Sequence, residues 1–239
     1  MSSIKGIIFD YGGTIDTNGI HWSEVIWQQY IKAGAGIDKA LFRDAYVHGE
    51  RSLAKSPIIE SSDTFLTLLK KKIAIQFSFL KEHTGQEALT KELETTIADG
   101  CYRNVLQTID TTRSIVMQLG MHYPMVLVTN FYGNMPVVLK EFGLDGLFRK
   151  IVESSVVGIR KPSPELFALG LEALGMEAGE IVVIGDSYKK DIYPSLTLGC
   201  RTVWLKKLCW EEELVMKGYE PTHTIESLEE LPAIIENMP

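Results

Sequence analysis

The chain has only three cysteines, Cys101, Cys200 and Cys209, and none of them stand in CxxC spacing. That excludes a disulfide framework and offers no zinc pattern, so the thiols read as buried or incidental. Basic residues are scarce relative to acidic ones: 24 Lys and Arg against 31 Asp and Glu leave a net charge of -7, which argues against a general nucleic-acid partner. The one basic cluster, Lys70-Lys71-Lys72, lies in an amphipathic stretch and reads as a solvated helix face. No apolar run approaches the ~20 residues that span a bilayer, and the start Met1-Ser2-Ser3-Ile4-Lys5 lacks the pattern of a secretion signal. A cytoplasmic protein without a membrane partner is expected. Internal repeats and low-complexity stretches are also missing, and nothing in the pattern speaks to oligomeric state.

What is present is ample core material, with 45% hydrophobic residues in a chain long enough for one large domain or two modest ones. Apolar runs with the length of buried strands occupy residues 4–9, 125–129, 181–184 and 202–205, with a weaker one at 150–153. Between the later runs lie helical patterns at 112–119, at 164–174 with Gly175 as a stop, and at 191–198 closed by Gly199; residues 227–237 read as a final helix. This alternation predicts the α/β class, a Rossmann-like parallel sheet covered by helices. Residues 17–107 differ. They carry helical periodicities at 23–32, 38–54, 63–81 and 86–106, broken at Gly34-Ala35-Gly36, Ser56-Pro57 and Thr84-Gly85, with no strand pattern. The expected organisation is a core domain made of residues 1–16 and 108–239 with an inserted all-helical cap domain at 17–107. Trp22, Trp27, Tyr30 and Phe42 fall at helical spacings and read as the core of that insert. Because the insert begins just after the Asp10 turn, it can sit above the C-terminal strand ends, where open α/β sheets bind ligands.

Four polar signals follow the apolar runs or lie in the loops between them: Asp10, Thr129-Asn130, Lys161, and the pair Asp186 and Asp191. Singly, each has a plain reading as a cap or turn residue, and Ser163 before Pro164-Glu165 reads as a helix cap with proline in the first turn. Together, in this order along one sheet edge, they form a constellation. The ordered set resembles the haloacid dehalogenase-like hydrolase superfamily, through Asp10–Thr14, Val126–Asn130, Gly158–Phe167 and Gly185–Asp191. The runs Lys161-Pro162-Ser163-Pro164-Glu165-Leu166-Phe167 and Ile184-Gly185-Asp186-Ser187-Tyr188-Lys189-Lys190-Asp191 are especially similar to the family pattern.

The resemblance implies a phosphatase-type hydrolase acting on a small phosphorylated metabolite, with Asp10 as nucleophile and an aspartyl-phosphate intermediate. A phosphate ester repels a carboxylate nucleophile, so a divalent cation is needed between them, and Mg²⁺ is the hard, oxygen-seeking ion for it. The implied ligands are Asp10, Asp186, the backbone carbonyl of Gly12 and Asp191. Thr129, Asn130 and Lys161 would hold phosphoryl oxygens, joined by backbone N–H groups of Tyr11 and Gly12, while Thr14 buttresses the turn.

The sequence departs from the pattern at Gly12, where the family's phosphatases carry an aspartate that protonates the leaving alcohol and helps activate water. Three readings follow. One is a hydrolase whose substrate has a good leaving group (an acyl phosphate, a phosphoanhydride or an activated ester), or in which Asp16, His21 or Glu24 substitutes for the acid. Another is carbon–halogen or carbon–phosphorus cleavage, the latter needing a Schiff-base lysine such as Lys32, Lys39 or Lys55. The last is a phosphate-binding regulatory protein that lacks turnover.

Overall fold

The computed structural model describes residues 3–209 and 214–238. Its centre is a six-stranded sheet, all parallel, built from β1 (Gly6–Phe9), β2 (Met125–Thr129), β3 (Lys150–Glu153), β4 (Ile181–Gly185), β5 (Arg201–Leu205) and β6 (His223–Ile225), in the order β3-β2-β1-β4-β5-β6. The central strands are continuous apolar runs because both faces are covered. Ile8, Val126, Val128 and Val183 point to one face, against Leu166, Phe167 and Leu174 of α7 (Pro164–Leu174). Their neighbours Ile7, Phe9, Leu127 and Ile184 point to the other, into the larger core that includes Ile115, Val116 and Leu119.

Four helices lie between β1 and β2 in the chain: α1 (Trp22–Lys32), α2 (Lys39–Lys55), α3 (Phe65–Thr84) and α4 (Lys91–Gly120). Asp38, Thr64 and Thr90 cap the last three through their side chains, and Gly85 ends α3 in the left-handed conformation. Tyr30, Phe42 and Phe77 pack ring to ring at 5.0 and 5.7 Å, which places Tyr30 and Phe42 in the apolar interior of this layer. The separate helices expected at 86–106 and 112–119 are one helix. Nothing in Gln107-Thr108-Ile109-Asp110-Thr111 breaks it, and Val105, Ile109, Thr112 and Val116 keep a single buried stripe running. The expected boundary at 107/108 therefore falls inside α4. Thr112 ties this helix to the active-site loop by donating to the Ile15 carbonyl at 2.8 Å.

After β2 the chain forms α5 (Met135–Glu141), then β3, the short α6 (Ser154–Val157) and α7. A turn of π-helix at Tyr188–Ile192 leads into α8 (Tyr193–Thr197), and α9 (Leu231–Glu236) ends the chain's helices. Ser163 stands at the N-cap of α7 with Pro164 at the first position. Its hydroxyl donates to Glu165 (2.7 Å) rather than accepting from the helix backbone, so it caps by position only. No helix among the described residues is long and apolar enough to cross a membrane.

Candidate active site

Strand order reverses at β1: β2 and β3 extend to one side, β4 to β6 to the other. Such a switch point opens a crevice beyond the strands' C-terminal ends, and the residues there are Asp10 after β1, Thr129 closing β2 and Asp186 after β4. The Asp10 amide is anchored to the Ile184 carbonyl (2.9 Å), which fixes where its side chain emerges. One carboxylate oxygen accepts from the Thr14 hydroxyl (3.0 Å) and the other from Lys161 Nζ (2.6 Å). Lys161 Nζ also donates to Asp191 (2.6 Å), and Asp191's second oxygen accepts the Ser187 amide (3.1 Å). Asn130 clamps the Lys161 backbone from both sides, accepting its N–H (2.9 Å) and donating to its carbonyl (3.2 Å). The Asn130 side chain expected on a phosphoryl group is thus committed to placing Lys161.

A cavity of about 130 Å³ lies over these groups, lined by Asp10, Gly12, Thr129, Lys161, Asp186 and Asp191 among others. The Thr129 hydroxyl and the N–H groups of Tyr11 and Gly12 have no protein partner among the described residues. The Tyr11 ring turns away into the core, edge-on to Phe131 at 5.7 Å, so only its backbone faces the crevice.

Carboxylate oxygens of Asp10, Asp186 and Asp191 lie within 4.8 Å of one another. Burial, opposed by Lys161 and reinforced by Asp191, pushes the Asp10 carboxyl up to about 6. Burial and the charges of Asp10 and Asp191 push Asp186 well above the ordinary range. Lys161 is bonded to two of these carboxylates and is held charged: burial would lower it, but Asp10 and Asp191 overcome that effect. Three acids converging on one point, with all-oxygen donors, form a set that fits a hard divalent cation.

Glycines let these acids converge. Gly13 (φ +94°) carries the Asp186 carboxylate directly against its Cα, and a Cβ at Gly185 would overlap the Asp191 side chain. Gly185→Ala is therefore expected to cost about 1–3 kcal/mol and to displace Asp191, which urea unfolding and metal titration of the same variant would measure.

Position 12 faces open space, where a Cβ would meet nothing nearer than Trp22 Nε1 at 4.0 Å. None of the three groups considered as substitutes is set to donate a proton into it. The Asp16 carboxylate, pushed up to about 7 by burial, is wholly enclosed and accepts from the Gly13 amide (2.7 Å) and the Trp22 indole (2.9 Å). His21 lines the cavity, but burial lowers it to about 4, so its ring is neutral; its Nδ1 accepts the Ser23 amide at the head of α1. Glu24 is paired with Lys39 (2.8 Å) and does not line the cavity.

Trp22, expected at the helical spacings of the insert's interior but also beside His21 near the start of the insert, lines the cavity together with His21. One feature escapes the sequence reading. Lys72, expected on a solvated face, is buried and lines the cavity too, paired with Glu50 at 2.7 Å. Its neighbour Lys70 does reach outward, to Asp99 (3.7 Å), while the half-buried Lys71 pairs with Asp63 (2.5 Å). The missed signal was the spacing: Phe65, Leu68, Leu69, Lys72, Ile73, Gln76 and Phe77 form the buried stripe of α3. Lys32, Lys39 and Lys55 do not line the cavity.

The model of the haloacid dehalogenase-like hydrolase family matches residues 4–193. A relative from Danio rerio, haloacid dehalogenase-like hydrolase domain-containing protein 3, is 33% identical over 46% of this chain, and the match spans only 45% of that protein's length. A glyceraldehyde 3-phosphate phosphatase of Methanocaldococcus jannaschii is 26% identical over 98% of both chains. Among solved structures, the HAD-hydrolase YfnB from Bacillus subtilis, bound to magnesium, superposes with a TM-score of 0.61 at 18% identity, covering 98% of this chain and 99% of its own.

Proposed function

The chain belongs to the haloacid dehalogenase-like hydrolase family and is an enzyme of that type, and from this premise we propose that it hydrolyses a small phosphorylated metabolite through an aspartyl-phosphate on Asp10. The observation that carries the proposal is the Asp10 carboxylate, held between Lys161 and Thr14 beneath a cavity where the Thr129 hydroxyl stands free. Asp10, Asp186, Asp191 and the Gly12 carbonyl would hold Mg²⁺, which supplies charge neutralisation between nucleophile and phosphoryl group. Lys161, Thr129 and the N–H groups of Tyr11 and Gly12 cradle the phosphoryl oxygens. Asn130 keeps Lys161 in register for that task. The helical insert, proposed as a cap over residues 17–107, supplies the opposite wall of the cavity through Trp22, Glu50 and Lys72 and excludes bulk water.

With no acid at position 12 and none of the alternatives set to donate, the favoured substrates are those whose leaving group needs no proton. Schiff-base chemistry is disfavoured. The one insert lysine at the cavity, Lys72, is held protonated by Glu50, whose charge outweighs the lowering effect of burial. The test is a hydrolysis screen with Mg²⁺ that sets acyl and aryl phosphates against alkyl phosphates. A steep fall in rate with leaving-group basicity is expected. Robust alkyl-phosphate turnover would contradict the leaving-group reading, and tight Mg²⁺-dependent phosphate binding with no turnover of any ester would favour a regulatory protein instead.

A further inference from the structure

Glu50 from α2, Lys72 from α3 and Tyr132 from the loop after β2 line the cavity and have no part in the phosphoryl machinery. The Lys72 side chain is 8% exposed, with its ammonium 2.7 Å from Glu50, and the Tyr132 hydroxyl donates to the other Glu50 oxygen at 3.2 Å. The same ammonium stands 5.9 and 5.6 Å from the ring centroids of Trp22 and Tyr132. A buried ion pair is a weak source of stability, and an apolar residue at 72 would continue the stripe of Leu68, Leu69 and Ile73 without desolvating a charge. Its place on the cavity wall is what distinguishes it.

Charge balance adds a second observation. Lys190 and Arg160 line the same cavity, and neither has an ion-pair partner among the described residues. Away from the metal-binding acids, Glu50 is the only carboxylate on the cavity wall among the described residues, so that end carries surplus positive charge. The third observation is position. The Trp22 indole that lies 4.0 Å from a Cβ at residue 12 is also a ring that Lys72 faces, which puts Lys72 on the side where an acid at 12 would have worked.

We propose that Lys72, braced by Glu50 and Tyr132 and joined by Lys190, forms a subsite for a leaving group that departs as an anion, replacing proton donation by charge compensation. This deepens the hydrolase reading above and rests on it. An Asp10 oxygen bonds to phosphorus while the bond from phosphorus to the leaving oxygen breaks. The electron pair goes with that oxygen, which leaves as a carboxylate or phosphate and takes no proton. Water then adds to phosphorus, the aspartyl bond breaks with its pair returning to the Asp10 carboxylate, and both protons of the water depart on the phosphate. The substrate class is an anhydride of phosphoric acid, acyl or phosphoryl, in which a cation suffices where an alkoxide would need a proton.

The experiment uses the full chain with Mg²⁺ and the variants Lys72→Met, Lys72→Arg and Lys190→Met. By calorimetry in an Asp10→Asn background, which lacks the nucleophile and so leaves pyrophosphate intact, the protein is expected to bind pyrophosphate at least ~10-fold more tightly than phosphate through the extra charge-assisted contacts. Lys72→Met should erase that preference and Lys72→Arg retain most of it. In turnover, Lys72→Met should lose ~10²-fold on acetyl phosphate, the scale of removing one oxyanion donor, and show a steeper dependence on leaving-group basicity. Should Lys72→Met fail to fold, the exposed Lys190→Met carries the same comparison with a smaller loss. Parallel leaving-group dependences, or an unchanged pyrophosphate preference in both lysine variants, would overturn the subsite. A parent protein inert toward every phosphate, yet with a Lys72-dependent pyrophosphate preference, would overturn the hydrolase reading and leave the subsite standing.

Discussion

Asp10→Asn is expected to lower phosphoryl turnover by at least ~10⁴-fold, as removal of a nucleophile does, and at the same time to raise the melting temperature of the metal-free protein. The two effects have one cause. Asp10 is packed against two other acids, and burial lifts its carboxyl from 3.8 to about 6 despite Lys161. A raised carboxyl pKa means that the folded state binds protons more tightly than the unfolded chain. The metal-free stability should therefore fall as pH rises from about 4 to about 6 and stay reduced above that. Asp186, lifted well above its ordinary range, extends the same decline to higher pH. The amide keeps an acceptor for Lys161 and removes one negative charge, so part of the decline disappears. Mg²⁺ reverses the comparison: it should stabilise the parent protein in proportion to ln(1 + [Mg²⁺]/Kd) and the variant much less. Melting curves in chelator and in Mg²⁺ at pH 5 and 7.5 would measure this. A variant that melts lower than the parent in chelator at pH 7.5 would show that Lys161 needs the Asp10 charge more than the acids repel it. Unimpaired turnover in the variant would remove Asp10 as nucleophile.

That acid cluster was legible in the sequence because strand ends are. Asp10, Thr129 and Asp186 each close or follow an apolar run whose period and length mark it as a buried parallel strand, and the parallel sheet delivers all three to one edge. What stayed hidden depends on which way a helix faces. The Lys70–Lys72 run looks uniformly solvated when read as composition, yet the 100° turn between residues separates Lys72 from its neighbours and sends it inward. Trp22 fits the apolar pattern of α1, but its indole N–H reaches the buried Asp16, an acid that no periodicity marks. The one-helix character of α4 was missed for a different reason: the polar residues flanking Ile109 resemble a linker, although no glycine or proline among them interrupts the helix. β6 has only three residues, too few to register as a period-two pattern. Local patterns thus located the core groups on the sheet edge, while the groups facing them from the helices required the three-dimensional register.

Gly12→Asp is the substitution with the largest expected gain. Gly12 is not among the residues with positive φ, so an L side chain is allowed there, and its Cβ would enter space bounded only by the Trp22 indole at 4.0 Å. A carboxyl group in that position would project into the cavity beside Asp10, where a general acid contributes ~10²–10⁴ in rate. The gain should fall on alkyl phosphates, whose leaving oxygens are too basic to depart unprotonated, and should be small for acyl phosphates. The new carboxyl also comes within reach of the indole N–H that now serves Asp16, so Trp22→Phe in the Gly12→Asp background separates proton donation from a shift of the indole. If alkyl-phosphate turnover rises in Gly12→Asp and persists with Phe at 22, the native site lacks only the acid, and its tolerance for good leaving groups follows from that absence. If Gly12→Asp gains nothing while the native protein still cleaves acyl phosphates, the phosphoryl site is already committed to a leaving group that needs no proton, and Lys72 rather than residue 12 sets the limit. Should neither form cleave any ester while both bind phosphate with Mg²⁺, the defect lies deeper than one missing carboxyl, in the alignment of Asp10 with the cradle of Thr129 and Lys161.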